Sequence, residues 1–335
     1  MTQPTPSFPL PLVVADVGGT NVRLAAVDAP GAALRPLGNL RTADFPGPAQ
    51  AIHSVAAGLS APRSVVLCGA GPIDGRRCQL TNAAWTIDGD ALASDLSLDQ
   101  GLLLNDFEAQ ALSLPAIPPD GLMTIGPDLP PGKGPRLVLG PGTGLGVGAL
   151  VNAAGRHVPV PSEGGHVDLA FGTAEEARAL AVADPVMGRL TGEAILSGSG
   201  LARLHQARCR VHGRPDGGLD AAGVVKAALA DPAGHEAGTI RMFLAILARY
   251  AGDMAITFAA TGGVFLAGGI LPRIRSLIDP AAFRAAFEAK APVEWLPKAI
   301  ATRLIVSPDA VLHGMAAIAL NPADYVLDYE GRCWR

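Results

Sequence analysis

The sequence predicts an α/β fold, because strand-like and helix-like segments alternate along the chain. Four short apolar runs have the character of buried strands, at 64–68, 101–104, 136–139 and 264–267. Three longer stretches have helical spacing, at 49–59, 241–258 and 311–320. A chain of 335 residues that is 49% hydrophobic can form two domains of ordinary size, each with its own core.

Composition excludes several classes of protein. Lys and Arg total 26 against 30 Asp and Glu, a net charge of −4, so no nucleic-acid partner is expected. No segment approaches the roughly 20 uninterrupted apolar residues of a membrane span, and residues 1–11 lack the pattern of a signal peptide. The four cysteines are scattered without a CxxC pair, which favours a reducing compartment over disulfides or a cysteine-rich zinc site. We therefore expect a cytoplasmic protein with no membrane partner.

The first glycine-rich segment predicts a β-hairpin. An apolar run is broken by Gly18 and Gly19 and resumes after Thr20 and Asn21. Glycines would let backbone N–H groups approach a phosphate, and the two polar side chains add donors. Asp16, near the end of the first run, could hold a hydrated divalent cation. An ordinary hairpin turn explains the same residues, since Gly and Asn are typical of such turns.

The second glycine-rich segment also lies between two apolar runs, around Gly142, Thr143 and Gly144. Its glycines match the dinucleotide-binding fingerprint loosely, but the residues that follow do not begin a helix, as that fingerprint requires. The chain also lacks a GxxxxGK[ST] phosphate loop. The pattern therefore favours a second phosphate-binding hairpin, with Thr143 as a side-chain donor.

A third glycine pair, Gly268 and Gly269, directly follows the apolar run at 264–267. Loops at the carboxyl end of a sheet strand commonly receive nucleotides in α/β proteins. A tight connection between a strand and a helix would explain the same pair without a ligand.

Polar side chains follow the apolar run at 101–104. Asn105 and Glu108 have the spacing of a helix capping box, which explains both residues by structure alone. Capping leaves Asp106 without a structural role. A carboxylate between a strand and a helix N-terminus is well placed to accept a proton from a bound hydroxyl. Asp106 is therefore a candidate general base.

Glu163 and His166 flank a glycine pair, and Glu193 precedes a further glycine-rich turn. The Glu-x-x-His spacing could suggest a carboxylate-bridged metal site, but such a site needs a helix and a second copy of the motif. The glycine pair disfavours a helix, and the sequence has no second copy. A loop that presents both side chains to a polyhydroxylated ligand fits better. Glu193, taken alone, is more typical of a solvated helix residue.

Proline and glycine are dense at 115–135, which predicts a crossing between two domains. Residues 213–218 have the composition of a surface loop. The final segment, 321–335, shows little periodicity, and we expect it to be partly mobile.

The chain from about residue 13 to residue 319 resembles the bacterial ATP-dependent glucokinases, of the actin-like sugar kinase superfamily. The family's motifs occur here in the family's order, as DVGGTNVRLA, GPIDG with LTNAAW, LNDFEA, GPGTGLGVG, SEGGHVD, EAILSGSGL and GGVFLAGGILPR. The resemblance implies a two-lobed actin-like ATPase (ribonuclease-H-like) sugar kinase fold with a cleft between the lobes. Residues 1–116 and 306–335 would form the smaller lobe, and residues 117–305 the larger one.

The resemblance also implies transfer of the γ-phosphoryl group of ATP to the 6-hydroxyl of glucose, with Mg²⁺, by a homodimer. Asp106 corresponds to the catalytic base. The sugar ligands would be Asn105, Asp106, Glu163, His166 and Glu193. The phosphate hairpins and the adenosine loop would be formed by Asp16, Gly18, Gly19, Thr20, Asn21, Gly142, Thr143, Gly144, Gly268 and Gly269, with Asp16 on the metal side.

The sequence disfavours several rival functions and leaves two alternatives open. Related sugar-responsive repressors carry a cysteine-rich zinc motif soon after their EGGH-like element, whereas here no cysteine follows Asp168 until Cys209. A helix-turn-helix extension before the first glycine loop is not found either. An actin-like ATPase would not need the LNDFEA and SEGGHVD clusters. A kinase for another hexose, such as mannose or glucosamine, and a non-enzymatic sugar sensor stay the alternatives.

Overall fold

A computed structural model describes residues 6–56 and 61–335. Strands and helices alternate along these residues, as predicted. The strands are β1 Leu12–Val17, β2 Asn21–Val27, β3 Arg35–Arg41, β4 Ser64–Gly69, β5 Ile73–Asp74, β6 Arg77–Gln79, β7 Thr86–Asp88, β8 Gln100–Asn105, β9 Leu122–Thr124, β10 Arg136–Pro141, β11 Leu145–Ala153, β12 Arg156–Ser162, β13 Gly263–Leu266, β14 Thr302–Ile305 and β15 Cys333–Trp334. The helices are α1 Pro48–Ala56, α2 Gly89–Leu96, α3 Asp106–Ser113, α4 Ala174–Ala181, α5 Gly192–Ile195, α6 Gly198–Val211, α7 Ala221–Ala230, α8 His235–Thr257, α9 Pro280–Glu288, α10 Trp295–Lys298, α11 Ala310–Leu320 and α12 Tyr329–Arg332.

The chain is divided into two compact units. The first comprises Met1–Pro119, Leu150–Val160 and Ser307–Arg335, and the second comprises Asp120–Ala149 and Pro161–Val306. Each unit has its own hydrophobic core. Among the described residues, no helix is long and apolar enough to cross a membrane.

The first six-stranded sheet has the strand order β15-β8-β4-β1-β2-β3. Strands β1, β4 and β8 are parallel, whereas β2 is antiparallel to β1. β4 is buried along its whole length, as a central parallel strand requires, which explains its unbroken apolar run. The register sets Asp16 beside Cys68 and Gly69 beside Asn105. Polar residues of three strands therefore meet at the carboxyl end of this sheet.

The second six-stranded sheet has the order β12-β11-β10-β13-β14-β9. Strands β10, β13 and β14 are parallel, and Leu139 of β10 lies opposite Leu266 of β13. The Ala267 N–H donates to the Leu139 carbonyl at 2.8 Å, just beyond the paired strands. The glycine turns that follow β10 and β13 are therefore neighbours. A third sheet, β5-β6-β7, has three short strands.

The predicted elements are present with small shifts in their ends. The four predicted strands correspond to β4, β8, β10 and β13, and the predicted helix at 311–320 corresponds to α11. Of the predicted helix at 49–59, α1 covers the residues up to Ala56, and 57–59 lie outside the described residues. The long helix α8 begins at His235, six residues before the predicted start, because its first turns mix polar and small residues that weaken the apolar period. The predicted loop at 213–218 is largely exposed.

The expectation of a partly mobile C-terminal segment is wrong. Residues 329–332 form α12, and β15 pairs antiparallel with β8. Trp334 is 1% exposed. Its indole packs over Gly89 and Gly101, where a Cβ atom would come within 2.4 and 2.1 Å of the ring. A single large side chain that fills the space above two glycines fixes this segment, and such a contact leaves no periodicity in the sequence.

Candidate functional site

The predicted first hairpin is formed by β1 and β2. Its turn is closed by the Gly18 N–H, which donates to the Asn21 carbonyl at 2.9 Å. Thr42 supports the turn from outside: its hydroxyl donates to the Gly18 carbonyl and its N–H to the Thr20 carbonyl, both at 2.9 Å. Thr20 and Asn21 are exposed, as phosphate donors must be. Sequence reasoning missed Thr42, because no local pattern links it to a turn more than twenty positions earlier.

Packing within the chain already explains Gly19. A Cβ atom there would lie 2.9 Å from the Cβ and carbonyl oxygen of Asn82, in the LTNAAW motif. Real Cβ atoms essentially never approach this closely, so any larger residue would force the LTNAAW segment away from the hairpin. The two motifs therefore form one structural element.

The predicted capping box is present at the start of α3. The Asn105 Oδ1 accepts from the N–H groups of Phe107 and Glu108, at 3.0 and 3.2 Å, and the Glu108 carboxylate accepts from the Asn105 N–H at 3.4 Å. The Asn105 side-chain NH₂ donates to the Gly71 carbonyl at 3.1 Å. Arg332 of the C-terminal segment pairs with Glu108. Asn105 thus caps the helix and has one further amide N–H with which to bind a ligand.

Asp106 is the first residue of α3, directly after β8. Burial raises the pKa of Asp106 to about 6. The hydrogen bond from the Phe107 N–H works against this rise, and the neighbouring charge of Asp16 adds to it. A carboxylate with a pKa near the working pH is suited to general-base catalysis, because it is ionised yet basic enough to take a proton.

Asp16 is engaged by two neighbours. Arg23 pairs with one carboxylate oxygen, and the Cys68 thiol donates to the other at 3.4 Å. Burial raises the pKa of Cys68 well above its ordinary value, so the thiol stays protonated. Mg²⁺ keeps several of its waters in protein sites and takes much of its ligation from substrate phosphates. A single carboxylate with both oxygens engaged fits Mg²⁺ held through water, and does not fit a cage of protein ligands.

The second hairpin joins β10 and β11. The Gly142 N–H donates to the Gly144 carbonyl at 2.8 Å, and the Gly198 N–H at the start of α6 donates to the Gly142 carbonyl at 2.9 Å. Thr143 at its tip is exposed. The Leu145 N–H donates to a carboxylate oxygen of Glu193 at 2.9 Å. The hairpin is therefore fixed by the starts of two helices, α5 and α6.

Packing within the chain requires glycine at some positions of these loops but not at others. A Cβ on Gly144 would lie 2.3 Å from the Glu193 carboxylate. Gly268 has a φ of +87°, and a Cβ there would lie 2.3 Å from the Pro141 carbonyl oxygen. Nothing lies within 4 Å of a Cβ on Gly142 or Gly269, and neither has a positive φ. Close approach of a ligand would explain glycine at these two open positions.

The SEGGHVD loop rests on the second hairpin. A Cβ on Gly165 would lie 2.0 Å from the Leu145 carbonyl oxygen, and the Tyr250 hydroxyl donates to the Gly164 carbonyl. The Glu163 and His166 side chains are exposed, with 3.7 Å between the carboxylate and the Nε2 atom. The glycine pair thus provides the close packing, and the flanking side chains face outward.

Glu193 differs from its predicted character as a solvated helix residue. It is the second residue of α5, is partly buried and accepts from the Leu145 N–H. The neighbouring Gly192 N–H donates to the Val167 carbonyl at 2.8 Å. The second unit therefore brings Glu193, the SEGGHVD loop and the second hairpin together. The first unit gathers Asp16, Asn105 and Asp106 at the end of its sheet.

A cavity of about 390 Å³ lies next to the Gly268-Gly269 loop. Its walls are mostly apolar, with two cationic side chains, and are formed by Leu201, Ala221, Ala222, Val225, Lys226, Leu229, Ile270 and Arg273. Sequence reasoning missed this cavity, because its walls come from three separate parts of the chain. The one available signal was Ile270, which directly follows the glycine pair.

Comparisons with known proteins find similar sequences and similar folds. A family model described as Glucokinase matches residues 13–322. The glucokinase of Rhizobium meliloti (strain 1021) is 41% identical over 331 residues, which cover 98% of each chain. The solved structure of a glucokinase from an Antarctic psychrotroph has a TM-score of 0.82 at 30% identity and covers 93% of this chain and 99% of that one. A Balamuthia mandrillaris glucokinase in complex with glucose shares the fold, with a TM-score of 0.76 at 23% identity over 92% and 93% of the two chains.

Proposed function

This chain belongs to the glucokinase family, and on that premise we propose how its residues phosphorylate glucose. It is an ATP-dependent hexose kinase, a phosphotransferase of the actin-like ATPase fold. The reaction transfers the γ-phosphoryl group of ATP to the 6-hydroxyl of glucose and yields glucose 6-phosphate and ADP.

Asp106 is the proposed general base. As the 6-hydroxyl oxygen bonds to the γ-phosphorus, the bond from that phosphorus to the bridging oxygen of ADP breaks, and Asp106 takes the hydroxyl proton. The observation that carries this role is the burial of Asp106, which raises its pKa to about 6. General-base assistance of this kind contributes roughly 10²–10⁴-fold to the rate.

Asn105, Glu163, His166 and Glu193 are the proposed ligands of the other sugar hydroxyls. Asn105 keeps an amide N–H, and Glu163 and His166 are exposed on a firmly packed loop. Several donors and acceptors paired with hydroxyls reject a sugar that lacks one of them, because a polar group would then be left unpaired.

The two hairpins are the proposed phosphate loops, and the cavity beside Gly268 and Gly269 is the proposed adenine pocket. Exposed Thr20, Asn21 and Thr143 supply donors to phosphate. Mg²⁺, when bound, would neutralise phosphate charge, with Asp16 holding it through water. Phosphoryl transfer needs chiefly such alignment and charge compensation from the protein.

We also propose that the chain forms two domains. The smaller comprises residues 1–116 and 306–335, and the larger comprises residues 117–305. The compact units support this division except at 117–119 and 150–160, which group with the first unit, and at residue 306, which groups with the second. The homodimer remains a proposal from the family resemblance, and the cytoplasmic location, without nucleic-acid or membrane partners, remains a proposal from composition and charge. Light scattering on the purified protein would test the dimer.

A coupled assay tests the function. Purified protein receives ATP, Mg²⁺ and one of glucose, mannose or glucosamine, and the ADP and hexose phosphate formed are both measured. We expect kcat/KM to be highest for glucose and the two products to form in equal amounts. A preference for another hexose would overturn glucose as the substrate, and ADP formed without hexose phosphate would overturn the kinase assignment.

A further inference from the structure

A cluster of metal-ligating side chains lies outside the site described above. His205 and Cys209 are one helical turn apart on α6, and His235 is the first residue of α8. His205 and Cys209 are 1% and 2% exposed, and His235 is partly buried. One potential ligand atom from each residue lies within 4.8 Å of the other two.

Both distances from the Cys209 sulfur to the histidine nitrogens are close to those of a tetrahedral metal site. The Cys209 Sγ lies 3.6 Å from the His205 Nε2 and 3.4 Å from the His235 Nε2. Zinc binds thiolate sulfur at about 2.3 Å and imidazole nitrogen at about 2.0–2.1 Å, so tetrahedral angles separate S and N by about 3.6 Å. Both observed separations are close to that value. The three ligand atoms all lie within 4.8 Å of one another, a grouping that could hold one metal ion.

An outer hydrogen bond orients one of the rings. The Nδ1 atom of His205 lies 3.2 Å from the hydroxyl of Thr239, which is fully buried on α8. This contact directs the Nε2 atom of His205 toward the Cys209 sulfur. Metal-binding histidines almost always use their second nitrogen in this way.

The surrounding charges are compatible with metal binding. Burial lowers the pKa of His235, Arg208, Arg214 and His205 lower it further, and Glu236 works against this fall. Arg208 donates to the His235 carbonyl at 2.8 Å and pairs with Glu175, so much of its charge is already engaged. Burial raises the pKa of the Cys209 thiol, so binding of a metal ion there would release a proton.

We propose that His205, Cys209 and His235 bind one zinc ion, which links α6 to the start of α8. The protein supplies three ligands, and the fourth position belongs to water. Thiolate with imidazole is a ligand set that suits zinc and disfavours Mg²⁺, so the site is chemically distinct from the proposed nucleotide metal. The inference does not depend on the kinase mechanism.

Cobalt provides the direct test. The full chain is stripped with a chelator and titrated with Co²⁺, without nucleotide, while its absorption spectrum is recorded. We expect one equivalent to bind with a sulfur-to-cobalt charge-transfer band, and one equivalent of Zn²⁺ to displace it. Cys209→Ser should abolish the band, whereas Cys333→Ser, which changes another free thiol, should retain it. No band in the wild type, or a band that survives Cys209→Ser, would overturn the site.

A second variant covers the case in which Cys209→Ser fails to fold. His235→Gln changes a partly buried residue and should weaken Zn²⁺ binding by more than about 100-fold, since even outer contacts contribute 10–100-fold. Added Zn²⁺ should also raise the Tm of the wild type and of Cys333→Ser but not that of His235→Gln, because an ion that binds the folded state stabilises it. Equal Zn²⁺ affinity and equal Tm shifts in all three proteins would contradict the proposal.

Discussion

The Glu193 carboxylate accepts a hydrogen bond from the Leu145 N–H at 2.9 Å, so a proposed sugar ligand also holds the second glycine hairpin. Gly144 makes this contact possible, because a Cβ there would lie 2.3 Å from the same carboxylate. Glu193 therefore fixes the hairpin that we propose as a phosphate loop, in addition to its proposed contact with the sugar. The family resemblance implied the role in sugar binding, and the sequence around Glu193 gave no sign of the second role.

Glu193→Ala is expected to raise KM for ATP as well as for glucose. An N–H left without its acceptor costs about 1–3 kcal/mol, which corresponds to roughly 5- to 150-fold in KM. Glu193→Gln keeps an acceptor oxygen, so it should raise KM for glucose and leave KM for ATP near the wild-type value. Glu163→Ala should likewise affect glucose alone. Steady-state kinetics with each substrate varied in turn measures both KM values of each variant. An unchanged KM for ATP in Glu193→Ala would show that the hairpin does not depend on Glu193.

Asp106→Asn is expected to lower kcat by about 10²–10⁴-fold while the circular dichroism spectrum stays unchanged. The wild-type kcat/KM should fall as the pH drops through about 6, because protonated Asp106 cannot accept the hydroxyl proton. Initial rates over a pH series measure both effects. Near-normal kcat in the variant would exclude Asp106 as the base.

The same residue should make stability depend on pH. The pKa of Asp106 is about 6 in the folded protein against an ordinary 3.8, so its contribution to stability is fully present below 3.8 and is lost as the pH rises through 6. Asp106→Asn should therefore be more stable than the wild type above pH 6, by about 3 kcal/mol at most. The gap should narrow toward pH 3.8. Thermal melts of both proteins across this pH range measure the difference in stability. A difference that grows as the pH falls would contradict the prediction.

Gly142→Ala and Gly144→Ala should behave differently, although they lie two residues apart. Gly142 has open space around its Cβ position, so alanine should leave Tm unchanged and raise KM for ATP if a phosphate approaches there. Gly144→Ala should displace Glu193 and raise KM for both substrates. Melting curves give the Tm of both variants, and steady-state kinetics gives their KM values. Wild-type kinetics in Gly142→Ala would show that no phosphate closely approaches Gly142.

Trp334→Ala should destabilise the first unit, because the indole fills the space above Gly89 and Gly101. Loss of a buried Trp typically costs about 3–5 kcal/mol. Val326→Ala, at a position that is 39% exposed in the same segment, is the matched control and should change stability little. Denaturant unfolding measures both variants. Equal stability of the two would mean that the C-terminal segment contributes little to the fold.

Local patterns predicted much of the fold and of the candidate site. The glycine hairpins, the buried strands, the capping box at Asn105 and the position of Asp106 all follow from residues within a few places of one another. Dihedral preferences and hydrogen bonds over short spans set such features, so each leaves a readable spacing. The order of the motifs then indicated the family.

Contacts between distant parts of the chain could not be predicted in this way. Three such contacts join residues that have no fixed spacing in sequence. They are Thr42 with the first hairpin, Glu193 with Leu145, and His205 and Cys209 with His235. The sequence by itself determined the elements and the chemical groups that follow them. The tertiary structure alone decided which of those groups meet and how deeply each is buried, because both depend on how separate segments pack.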